Sequence, residues 1–124
     1  MMRAWLPLFA IVGWLGLFVH NVADLPNQTV LSPESLFPLI VTTTLIALLF
    51  TPLRSFAAWS MLLWGVLNMA GAIITVLPLA VLTFEPEQSL AHYAFHLIYG
   101  LAQLPVVIAT VVWIHRRKKA TRSR

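Results

Sequence analysis

The chain has 124 residues, 60% of them hydrophobic and 10% charged, with a mean hydropathy of +0.86. An ordinary soluble domain carries about a quarter charged residues, and a disordered chain cannot be this apolar, so both classes are excluded and a lipid bilayer is the expected solvent. The formal net charge of +4 does not indicate a nucleic-acid binder, because six of the eight Lys and Arg lie in the last nine residues, as a tail rather than a binding face.

The apolar residues fall into four stretches, each long enough to cross about 30 Å of hydrocarbon at about 1.5 Å of rise per residue. The first runs from about Ala4 to Ala23. Its apolar run is long for a signal peptide, a single base precedes it, and no small-x-small pair stands before Asp24, so a retained helix is expected. Asn27-Gln28-Thr29 has the form of a glycosylation acceptor but lies within a few residues of the span and reads as an outer turn. The second span covers about Leu36 to Leu53 and carries Thr42, Thr43 and Thr44, with Thr51 beyond. The third covers about Ala57 to Leu82, with Trp64, Asn68, Gly71 and Thr75 on one face. The fourth covers about Leu90 to Ile114, and residues His115 to Arg124 form a basic tail suited to lipid headgroups. Pro78 and Pro105 lie deep in the third and fourth spans and predict kinks there.

All four acids, Asp24, Glu34, Glu85 and Glu87, fall in the first and third connections, whereas the eight bases fall near the N-terminus, at Arg54 or in the tail. Lys and Arg resist translocation, which predicts both termini in the cytoplasm; Trp5, Trp59 and Trp113 mark the same boundary, since indole favours the headgroup level. Short connections predict an all-α, integral membrane four-helix up-down-up-down bundle, one transmembrane domain over residues 1–124, with the fourth helix closing the ring beside the first. A bacterial plasma (inner) membrane is the expected location.

The polar residues inside the spans are patterned. At about 100° per residue, His92, His96, Tyr99, Gln103 and Thr110 share one face of the fourth helix, and Gly13, Gly16, His20 and Asp24 share one face of the first. The first helix leaves the membrane after His20 and the fourth enters it before His92, so His20, Asp24, His92 and His96 are expected to converge near the outer surface, with Glu85, Glu87 and Tyr93 nearby. Imidazoles at i and i+4 suit a Zn, Cu or Fe site, or a haem, and the absence of cysteine leaves His, carboxylate and carbonyl as the available ligands. The competing expectations are a polar rim of hydrogen bonds between helices, or facing a partner, and proton handling. Asn68, Tyr99 and Gln103 are expected either to bridge helices or to line a polar path.

No GxSxG, HExxH, Walker A or GxGxxG motif occurs, so hydrolase, zincin and nucleotide-binding readings lack support. The size and span number are similar to those of small multidrug transporters, a likeness of hydropathy alone: those depend on a carboxylate within the first helix, and the first acid here is Asp24. Three functions stay open. The first is a non-catalytic subunit of a larger membrane assembly, docking on itself or on a partner membrane protein. The second is a metal- or haem-binding membrane protein using the outer histidines. The third is an oligomeric ion or small-solute carrier.

Overall fold

The computed structural model describes residues 2–122, with side chains described over residues 5–120. Four helices follow one another: α1 Met2–Asp24, α2 Pro33–Leu49, α3 Arg54–Ile74 and α4 Leu90–Arg122, with no strand among the described residues. Three of them, α1, α3 and α4, are long and apolar enough to cross a membrane, while α2 has 17 residues and is shorter.

The boundaries follow local chemistry. Helix α2 opens earlier than its apolar run because Pro33 sits at its first turn, where a missing N–H costs nothing, and Glu34 lies beside the positive end of the helix dipole. It ends at Leu49, where the Phe50 amide turns back to the Ala47 carbonyl and the Thr51 amide and hydroxyl both donate to the Leu48 carbonyl. Helix α3 stops at Ile74, well short of the expected Leu82. The Thr75 amide and hydroxyl both return to the Gly71 carbonyl at 3.0 and 2.7 Å, and Pro78 could neither donate to nor accommodate a further turn. Pro78 therefore kinks nothing; it lies in a non-helical connection of residues 75–89. Helix α4 continues beyond Ile114 through the basic segment, because Arg, Lys and Ala favour helix and bases suit its C-terminal end. Ser123 and Arg124 of that segment lie outside the described residues.

Helix α4 packs against α1 and α3, and α2 completes the ring between α1 and α3. Each neighbouring pair is antiparallel: Asn21 meets Glu34 and Ser35, Phe37 meets Trp64, Ala72 meets His96, and Arg117 meets Ser55. The acids thus gather at one end of the bundle, and Arg54, Arg116, Arg117, Lys118 and Lys119 at the other.

The interior is layered. Toward the basic end lies an apolar core of Leu6, Leu45, Leu49, Ala57, Ala58, Met61, Val106 and Trp113. At mid-bundle, polar side chains tie the helices together: Tyr99 donates to Asn68 Oδ1 at 2.6 Å, and Gln103 Nε2 donates to the Gly13 carbonyl at 2.8 Å. Helices α1 and α4 approach closely enough that a Cβ on Gly16 would lie 2.3 Å from the Ala102 Cβ, so only glycine fits there.

Candidate metal centre

The last turn of α1 carries His20 and Asp24, and the first two turns of α4 carry His92 and His96. Antiparallel packing of α1 on α4 brings the four together at the acidic end, with His96 buried and the other three side chains nearly so. His20 Nε2 lies 2.9 Å from His96 Nε2, and Asp24 Oδ2 lies 3.1 Å from the first and 3.9 Å from the second. His92 stands beside them, with Nδ1 2.9 Å from the same carboxylate oxygen.

The other nitrogens of the two facing imidazoles decide what these contacts mean. His96 Nδ1 lies 2.8 Å from the Ala72 carbonyl oxygen, which can only accept, so Nδ1 carries the hydrogen. His20 Nδ1 lies 3.2 Å from Asn21 Oδ1. That atom is the amide oxygen, because the Asn21 Nδ2 group is spent on the Glu34 carbonyl and Ser35 Oγ, both at 3.1 Å. His20 Nδ1 is therefore also a donor. In the neutral imidazoles both Nε2 atoms then hold lone pairs, and they face one another and a carboxylate. Asp24 Oδ2 is buried and receives no aligned hydrogen bond, and His92 Nε2 is buried without a partner as well. With both imidazoles neutral, three electron-rich atoms converge on one point, which costs free energy unless a cation, a metal ion or a proton, joins them.

The spacing suits such a cation. Donors on a tetrahedral ion with bonds of about 2.1 Å sit about 3.4 Å apart, and the three observed separations bracket that value. The Ala72 carbonyl and Asn21 take the place of the groups that orient metal-bound imidazoles through the other ring nitrogen.

The other expected residues are placed elsewhere. Tyr93 turns to Gln88, to which its hydroxyl donates, and Glu85 and Glu87 are exposed in the connection after α3. Asn68, Tyr99 and Gln103 make the interhelical bonds given above. With Thr42, Asn68 and Gln103 also border an internal cavity of about 10 Å³, room for a single water, and Leu45, Met61 and Val106 lie on its walls toward the basic end. Two contributors to the site, Asn21 and the Ala72 carbonyl, were not legible in the sequence. The nearest signal is Pro38, which cannot return an N–H to Glu34, but the sequence does not say which helix supplies the donor instead. No known protein family, curated protein or solved structure matches this chain.

Proposed function

We propose that this protein is an integral membrane bundle that holds a divalent first-row transition-metal ion, of the Zn²⁺ or Fe²⁺ kind, at its acidic end. The ligands are His20 Nε2, His96 Nε2 and Asp24 Oδ2, and His92 stands against the carboxylate. The convergence of these three potential ligand atoms within reach of one ion carries the reading. Two imidazoles and one carboxylate leave a coordination position open, as sites that exchange or present a metal require, and the lack of thiolates disfavours Cu⁺. Convergence from one side also favours an ion over a haem, whose two axial imidazoles would oppose one another across about 4 Å, twice a metal–nitrogen bond.

By the distribution of bases, the acidic end faces outward and both termini lie in the cytoplasm of a bacterial plasma membrane. The chain acts as a metal-holding, non-catalytic component and associates through its lipid-facing helices with a second copy or a partner membrane protein. A carrier role has less support, because the apolar layer of Leu45, Met61 and Val106 lies across the polar column.

Titration of the purified protein in detergent with Co²⁺, followed by d–d absorption, tests the reading. One equivalent of Co²⁺ with a tetrahedral or five-coordinate spectrum is expected, displaced by Zn²⁺. A spectrum no different from that of a His20→Ala, His96→Ala double variant overturns it.

A further inference from the structure

We infer that Asn21 is a positioning residue for the metal site, and that α2, which supplies no ligand, sets its orientation through the backbone that Pro38 leaves unpaired. The inference rests on the metal reading for its functional meaning, but its structural content can be tested separately.

A helix carbonyl four residues before a proline has no N–H to accept. In α2 that carbonyl belongs to Glu34, and Asn21 Nδ2 donates to it from α1 at 3.1 Å, with Ser35 Oγ as a second acceptor. Asn21 is 4% exposed, so neither water nor lipid competes for its amide. A side-chain amide has one donor end and one acceptor end. Once the donor end is committed to α2, the acceptor end must face the other way, and there Oδ1 meets His20 Nδ1.

The free imidazole ring favours hydrogen on Nε2, which would place an N–H where the ligand lone pair is needed. By accepting from Nδ1, Asn21 inverts that preference and turns the Nε2 lone pair toward His96 and Asp24. On the opposite side, the Ala72 carbonyl does the same for His96. The two ligating imidazoles are thus set by two different helices, α2 acting through Asn21 and α3 acting directly. Trp14 Nε1, 3.0 Å from the Ser35 carbonyl, ties α1 to α2 from two turns earlier in α1 and holds the pair in register.

Two measurements on the full chain in detergent test this. The first is the ¹⁵N spectrum of histidine side chains in metal-free protein, with His20 assigned by the signal lost in His20→Gln. Wild type shows His20 as the Nδ1–H tautomer. Asn21→Leu moves it to Nε2–H, Asn21→Asp restores Nδ1–H because a carboxylate still accepts, and Pro38→Ala, which gives Glu34 an N–H within its own helix, moves it part of the way. An unchanged tautomer in Asn21→Leu overturns the positioning role. An unchanged tautomer in Pro38→Ala overturns the part assigned to α2. The second measurement is Co²⁺ affinity, which falls about tenfold to a hundredfold in Asn21→Leu and recovers in Asn21→Asp. If Asn21→Leu shifts the tautomer but binds Co²⁺ as wild type does, the functional role is wrong. If wild type binds no Co²⁺, the metal reading fails, while the tautomer series still decides the structural role. Should Asn21→Leu not fold, a Pro38→Ala protein with wild-type His20 tautomer suffices to overturn control by α2, and an Nε2–H His20 in Asn21→Asp suffices to overturn the positioning role.

Discussion

His96 donates its Nδ1–H to the Ala72 carbonyl at 2.8 Å, and Ala72 stands two residues before the end of α3. The last carbonyls of a helix have no partner within it. Because α3 stops at Ile74, the Ala72 oxygen is one of these, and a histidine from α4 takes it up. One bond thus closes a helix end, joins α3 to α4 and fixes which nitrogen of His96 faces His20.

Truncating that histidine has two separable effects. His96→Ala leaves the Ala72 carbonyl without a donor in a buried place, at a cost of about 1–3 kcal/mol in unfolding stability. It also removes a ligand, so Co²⁺ affinity falls by more than the roughly 10–100-fold expected for outer partners. His20→Ala lowers affinity similarly. Parallel denaturant titrations and Co²⁺ titrations measure both.

Metal binding weakens on acidification. Ligation needs the imidazole lone pairs, so protons compete with the metal as the pH falls. Co²⁺ titrations at neutral and at mildly acid pH should show affinity falling as the pH is lowered; an affinity unchanged by acidification would contradict ligation through imidazole nitrogens.

Gly16 sets the distance between α1 and α4. In Gly16→Ala the new Cβ would lie 2.3 Å from that of Ala102, and the helices must part, which destabilises by about 1–3 kcal/mol. Gly100→Ala is the control: its Cβ would lie an ordinary 3.5 Å from the Ala72 Cβ, and the better helix propensity makes the change neutral or stabilising by up to about 1 kcal/mol. Thermal unfolding in detergent should rank the two in that order.

The Tyr99–Asn68 bond is a helix bridge. Tyr99→Phe removes the donor while keeping the ring, and the loss should be near the 0.6 kcal/mol average for interhelical bonds in membranes, and no more than about 1.7 kcal/mol. Co²⁺ affinity should stay within about twofold of wild type, since Tyr99 supplies no ligand atom; a larger drop would make it part of the site.

Orientation can be read without background labelling because the chain has no cysteine. Single cysteines at Val30 and Glu87, in the two connections at the acidic end, should react with an impermeant maleimide in intact cells, and one at Lys119 should react only after lysis. The reverse pattern would put the metal site on the cytoplasmic side.

Much of the architecture was legible because it depends on local quantities. Apolar runs of membrane length, the separation of acids from bases, and the shared face of His20 with Asp24 and of His92 with His96 all follow from composition and the 3.6-residue period. The continuation of α4 through its basic segment is likewise a matter of propensity, and hydropathy alone hid it. Other features were decided only by packing. The end of α3 depends on how Thr75 and Pro78 act together, and an apolar run past Ile74 concealed it. The meeting of two histidine faces required α1 to lie against α4 at matched depth. The state of the ring nitrogens lay furthest from the sequence. A tautomer is chosen by whatever acceptor the opposite nitrogen meets, and here those acceptors are a carbonyl freed by the end of α3 and an amide turned by a proline in α2, groups that neighbouring helices bring to the histidines.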